Sequence, residues 1–377
     1  MESTASQSSA AASQSSAQAL INWDLAASAA ARLAPPGPQL TAAEIGDAVS
    51  QLRALADASV PHVHQITGLE AARDLRDSSV LVVDRASWAK ANTQSFAVML
   101  KPAIEKMLEN RRGTVSPGAA AVSGAVTGSQ LGAVLAFLSS KVLGQYDPFA
   151  ALAEGSQAPS GGRLLLVAPN IISVERELNV DPTDFRLWVC LHEQTHRVQF
   201  AAAPWLRHHM LNEIDNLSGH LLGNVDSLME RASAAARSLK DRAVSGSAPG
   251  RGAILDLLQD PEEKASLSHL TAVMSLLEGH ANVVMDAVDA SIVPSVKTIR
   301  QRFNARGKDR GVIEKFIRSL LGLDAKMKQY SDGAKFVRAV VDVAGMEGFN
   351  RVWEAPANLP TEEEIHNARI WLDRMGF

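Results

Sequence analysis

Cys190-Leu191-His192-Glu193-Gln194-Thr195-His196-Arg197-Val198-Gln199-Phe200 is the stretch from which the rest of the chain is read, because it contains H-E-x-x-H. On an α-helix, at about 100° per residue, His192 and His196 lie about 40° apart, so both imidazoles can reach one cation. Glu193 stands beside them. Two nitrogen ligands and an adjacent carboxylate suit metal-assisted hydrolysis: imidazoles hold a borderline cation such as Zn2+, and the Glu is a general base for the attacking water. The competing reading is a helix with two surface histidines and a glutamate. Against it, the flanks Leu187, Trp188, Val189, Leu191, Val198 and Phe200 are apolar, which buries the helix. Buried His and Glu side by side need a partner, and a cation is the simplest one.

The helix has its own boundaries. Asp181-Pro182-Thr183-Asp184 supplies an N-cap, a first-turn Pro and an acidic residue, and Pro204 ends the helix. Asp260-Pro261-Glu262-Glu263 opens a second helix the same way, reaching about Val288. A catalytic zinc takes three protein ligands and an open position. The extended form of the motif asks for glycine at position 199 and histidine at position 202, where this chain has Gln199 and Ala202. The third ligand is therefore sought on the second helix, in S-L-L-E-G-H-A-N-V-V-M-D, at Glu278. This Glu is acidic among Val273, Met274, Leu276, Leu277, Val283, Val284 and Met285. Gly279 follows it, and a mid-helix Gly costs about 1 kcal/mol unless close approach needs it. Asn282, one turn on, is placed to hydrogen-bond a ligating imidazole. His280 is the rival, pointing about 200° away from Glu278, and Asp286 and His208 remain alternatives. For an oxyanion stabiliser the candidates are Tyr146, Tyr330 and His280.

At 377 residues, 46% hydrophobic and 21% charged, the chain has the composition of a soluble globular protein. Its net charge of −4, from 37 basic and 41 acidic residues interspersed, gives no sign of a nucleic-acid or acidic-lipid partner. The single cysteine, Cys190, excludes an internal disulfide and a cysteine zinc cluster, so a zinc must be held by His and carboxylate. Cys190 itself reads as a small buried residue. Residues 1–19 are a Ser/Ala-rich tail expected to be disordered, without a signal-peptide pattern, so the expected location is cytoplasmic. Residues 20–377 read as a single hydrolase domain with a flexible connection at about 244–252. Gly118 to Leu138 carries no charge, but Ser123, Thr127, Ser129 and Gln130 weaken a membrane reading. With Gly124, Gly128 and Gly132 four apart, it is expected to be a tightly packed interior helix, with no stable membrane insertion.

Further helices are expected over Asn22–Leu33, from Thr41 (boxed with Glu44) to about Ser59, and over Trp88–Asn110 with Pro102 a kink or boundary. Others follow over Leu206–Ala243, Val312–Leu321 and Gly333–Ala344, and a last one runs from Thr361 to about Met375. Strands are expected at Val80–Val83 and Arg163–Val167, with a turn over Leu143–Pro148. The chain is thus mainly α.

Longer blocks carry a resemblance: V-V-D-R-A-S-W-A-K-A-N, V-L-G-Q-Y-D-P-F, L-H-E-Q-T-H-R-V-Q-F, P-W-L-R-H-H-M, E-G-H-A-N-V-V-M-D-A-V and V-W-E-A-P-A-N-L-P-T, spread over roughly residues 20 to 375. Through them the chain resembles the actinobacterial zincin-like metallopeptidases, some of which are labelled as associated with biosynthesis of the deazaflavin coenzyme F-420. The resemblance implies a mainly α, zincin-like metallopeptidase fold with a small β component and a zinc-dependent hydrolase. It carries the motif to His192, Glu193 and His196, and the E-G-H block to Glu278. An acidic residue is expected in many relatives where this chain has Asn282. The expected substrate is a peptide or a small amide. The alternatives are a non-proteolytic binding or maturation module, and a hydrolase of a small amide or ester.

Overall fold

Side-chain caps open the helices where the sequence places them. The Asp181 carboxylate accepts from the Asp184 amide at 2.9 Å, and the Thr41/Glu44 and Thr361/Glu364 capping boxes both form. The computed structural model describes residues 20–110, 117–153, 161–223, 261–306 and 330–377. In chain order these form α1 Trp23–Leu33, α2 Ala42–Thr67, β1 Ser78–Val83, α3 Arg85–Asn110, α4 Pro117–Ser139, β2 Gly144–Asp147, β3 Gly162–Val167 and α5 Ala168–Leu178. They continue with α6 Pro182–Ala202, α7 Leu206–Gly223, α8 Pro261–Ala287, α9 Val296–Arg306, α10 Tyr330–Asn350, α11 Glu362–His366 and α12 Ala368–Met375. The fold is mainly helical with one small sheet. The N-terminal tail, the connection at 244–252, Val312–Leu321 and the part of the Leu206 helix beyond Gly223 lie outside the described residues.

The sheet has the order β1-β3-β2. β1 runs parallel to β3, with Val80 opposite Leu164, and β2 runs antiparallel to it, with Gly144 opposite Leu166. β2 corrects the turn expected over Leu143–Pro148. It is four residues long, starts at a Gly and has no β-branched side chain, so no local strand signal marks it. Tertiary bonds hold it instead: Asp147, 2% exposed, accepts from Arg163 Nε at 3.0 Å and from the Ser95 hydroxyl at 2.5 Å. Gln145 donates to the Asn92 amide oxygen at 3.0 Å. The last helix is also corrected, because Asn367, with a non-helical backbone, divides it into α11 and α12. α5 and α9 are helices the sequence reading passed over.

The main core gathers α2, β3, α5, α6, α8 and α10 around Leu52, Leu164, Leu166, Ile171, Phe185, Leu191, Val198, Leu276 and Phe336. Two glycine contacts shape it. A Cβ on Gly279 of α8 would lie 2.3 Å from the Gly333 carbonyl carbon of α10, and a Cβ on Gly333 would lie 1.9 Å from the Ser275 oxygen. These backbones touch, so the mid-helix Gly279 serves helix packing. Gly333→Ala is expected to lose about 1–3 kcal/mol of stability or more through overpacking, read as a lower denaturant midpoint. An unchanged midpoint would mean that the helices can part freely.

α4 uses its glycine stripe as expected and is otherwise less interior than expected. A Cβ at Gly128 or Gly132 would come within 2.5 or 2.6 Å of the Asn22 or Ala26 carbonyl oxygen of the α1 region. The opposite face stays open, with Val122 and Val126 exposed. Val122–Ser139 is long and apolar enough to cross a membrane by length and composition, and 33% of it is buried.

Candidate metal centre

α6 is held on three sides, which leaves its fourth to the site. Towards α2, the Gln194 amide donates to the Ala56 carbonyl at 2.8 Å. Towards β1, buried Arg197 donates to Ser78 Oγ at 2.5 Å, to Ser78 O at 2.7 Å and to Leu75 O at 2.9 Å. Towards α8, Gln199 donates to Leu277 O at 2.9 Å. The remaining face carries His192, Glu193 and His196, and no rotation of the helix can move one without breaking buried hydrogen bonds elsewhere.

His192 Nε2 and His196 Nε2 are 3.3 Å apart, and His196 Nε2 lies 3.6 Å from Glu278 Oε1 on α8. All three ligand atoms fall within 4.8 Å of one another, and among the described residues no fourth joins them. Two imidazoles and one carboxylate are the donor set of a catalytic zinc site with an open position. The group can hold a metal ion. His196 Nδ1 meets Gln199 Oε1 at 3.0 Å, so the ring is oriented from behind.

Glu193 is buried, with its carboxyl pushed up to about 8, first by burial and then by the charge of Glu278. Gly144 of β2 presses on it: a Cβ there would be 2.6 Å from Glu193 Cγ and Cδ. Because the folded chain retains this proton and the unfolded chain releases it near 4.5, the contribution is full below pH 4.5 and is lost as pH rises through 8. Glu193→Gln mimics the protonated acid and removes that dependence. The metal-free variant is therefore expected to match the metal-free native chain near pH 5 and to exceed it by several kcal/mol at pH 9, at about 1.4 kcal/mol per unit. Parallel denaturation curves at both pH values would refute this. His280, pushed down to about 3 mainly by burial, acts in the opposite sense but is common to both chains.

The site opens into a cavity of about 360 Å3 lined by Gly144 to Phe149 of the β2 segment, by Asn92, Ser95, Phe96 and Met99 of α3, and by Met210, Met274 and Leu277. β2 lies at the edge of the sheet, so its outer backbone faces no strand among the described residues. A larger cavity of about 550 Å3 lies elsewhere, between α2, α5 and the start of α6; its Arg186 and Glu175 pair with each other at 2.6 Å.

Of the other sequence candidates, none among the described residues joins the three ligand atoms. His280 is fully buried, packed against Phe349 and Trp353 at ring-centroid distances of 5.1 and 5.4 Å. Asp286 pairs with Arg338 at 2.5 Å, and His208 is exposed. Asn282 is exposed too, so the orienting bond to His196 comes from Gln199 and not from Asn282. That corrects the expectation. The signal for Gln199 was present, a polar residue one turn beyond His196 in an apolar flank, but it was read only as a departure from a longer motif. Tyr146 lines the cavity, but its hydroxyl donates to the Gly161 carbonyl and its ring packs, tilted, 5.3 Å from that of Phe200. The Tyr330 side chain lies outside the described residues.

A search of the curated proteins finds no match. Among solved structures, the chain is similar to one from Chloroflexus aurantiacus described as a "putative hydrolase with a novel fold". The identity is 31%, covering 95% of this chain and 99% of that one, with a TM-score of 0.67. Residues 21–372 match the family described as zincin-like metallopeptidase. With the helix of His192 and His196 facing Glu278 inside that span, the chain belongs to the zincin-like metallopeptidase family.

Proposed function

We propose that this chain is a cytoplasmic zinc-dependent peptidase, with His192, His196 and Glu278 as the metal ligands and Glu193 as the general base. The family and the Chloroflexus neighbour support a hydrolase. The observation that carries the reading is the convergence of three ligand atoms within 4.8 Å beside a carboxyl that burial first, and then the charge of Glu278, pushes up. A buried carboxyl under a neighbouring negative charge calls for a cation. A bound zinc ion supplies Lewis-acid polarisation and lowers the pKa of water to near 7. The chain supplies the rest. Glu193 takes the proton of the attacking water on its carboxylate and returns it to the leaving amine. Gly144 and the walls of α3 and α8 keep that carboxyl out of bulk solvent.

The outer edge of β2, which faces no strand among the described residues, favours a peptide, because an extended backbone can add to it as a further strand. A cavity of about 360 Å3 favours the second reading, a small amide or ester. Metal analysis of the purified chain, followed by incubation with a broad peptide library and with small amides, separates them. One zinc equivalent with chelator-sensitive peptide cleavage is expected. Cleavage of small amides alone would select the second reading, and a chain that binds no zinc would refute both.

A further inference from the structure

We infer that Gln199 is a positioning residue that locks His196 in the tautomer a metal requires and fastens it to the backbone beside Glu278. The inference rests on the metal-site reading above, but its first test needs no metal. Gln199 is fully buried and makes three contacts: Oε1 with His196 Nδ1 at 3.0 Å, Nε2 with Leu277 O at 2.9 Å, and Nε2 with His280 Nδ1 at 3.0 Å.

The chemistry of these atoms leaves one arrangement. A backbone carbonyl only accepts, so the amide nitrogen must face Leu277 and the amide oxygen must face His196. That oxygen also only accepts, so Nδ1 of His196 carries the ring proton. Nε2 is left with its lone pair, and Nε2 is the atom 3.3 Å from His192 Nε2 and 3.6 Å from Glu278 Oε1. The second amide proton goes to His280 Nδ1, which places the proton of this neutral ring on Nε2. That Nε2 is buried without a partner. Such an atom is rare in a folded chain, and here it closes a relay that ends on a metal ligand.

Two consequences follow. Glutamate could fill only half of this role: one carboxylate oxygen would still accept from His196 Nδ1, but the other would face the Leu277 carbonyl, acceptor against acceptor. Because Leu277 directly precedes Glu278, the same side chain couples the position of the α6 ligand to that of the α8 ligand.

The test uses the full, metal-free chain with 15N-labelled histidine and long-range proton–nitrogen correlation spectra, at a pH where His196 is neutral. Native His196 is expected to be protonated on Nδ1. In Gln199→Leu the Nε2-protonated form should dominate, and the zinc dissociation constant, from competition with a chelator, should rise about 10–100-fold. Where Gln199→Leu fails to fold, Gln199→Glu decides: it retains an oxygen towards Nδ1, so the Nδ1 proton should persist. Native His196 protonated on Nε2 overturns the inference. So does an unchanged tautomer in Gln199→Leu, or a Gln199→Glu chain whose His196 has moved its proton to Nε2. A native chain that binds no zinc refutes the metal-site reading, and the tautomer spectra still decide the role of Gln199.

Discussion

Glu193→Gln is expected to lower hydrolytic turnover by about 10²–10⁴-fold, the range general-base catalysis contributes, while one zinc equivalent stays bound. The proposed ligand atoms belong to His192, His196 and Glu278, so an isosteric change at Glu193 leaves that set complete. An amide cannot take a proton from water, so the loss falls on turnover. In the metal-free chain this carboxyl sits near 8, too high for a base at neutral pH. A cation within a few ångströms favours the carboxylate and draws the value down. The acid limb of the native kcat/KM profile should therefore belong to Glu193 and vanish from the residual activity of the variant. Measuring zinc content and rate on the same preparation checks both halves. Full activity in Glu193→Gln would end the general-base assignment, and loss of zinc would mean that this carboxylate is itself a ligand.

Much of this was legible locally, because caps and helical spacing are local signals. Asp181 and Pro204 bound the helix of His192 and His196, and the capping boxes at Thr41 and Thr361 form as read. What escaped depends on contacts distant in sequence. β2 is a strand because Arg163 and Ser95 hold Asp147, and nothing within Gly144–Asp147 announces it. Spacing offers Asn282 as a partner for a ligating imidazole, because it lies one turn beyond Glu278. The helix instead turns it to solvent, and the bond to His196 comes from Gln199 on α6. Gly279 was read correctly as a close-approach glycine, but its partner, the Gly333 backbone, could not be named from spacing. The contact between Gly144 and Glu193 is of the same kind: it puts the edge strand against the proposed general base, and only the folded chain brings them together.

Glu278→Gln is the sharper test of the metal set, since a missing direct ligand costs more than the 10–100-fold typical of a lost orienting partner. Zinc affinity is expected to fall by more than about 100-fold, and activity with it. The variant keeps the shape of the side chain and removes its charge, which separates ligation from packing. It also removes the like charge that helps push Glu193 up. The rise of the Glu193 carboxyl should therefore shrink in the metal-free variant, with burial left as its cause. His208→Ala and Asp286→Asn should leave zinc binding unchanged, because His208 is exposed and Asp286 is engaged with Arg338. Substitution at His280 should act only through Gln199, as a smaller change in affinity. If Glu278→Gln retained zinc while Asp286→Asn released it, α8 would have to turn so far that Gln199 lost Leu277 and Gly279 lost Gly333. Those two contacts are what turn Glu278 of α8 towards His196.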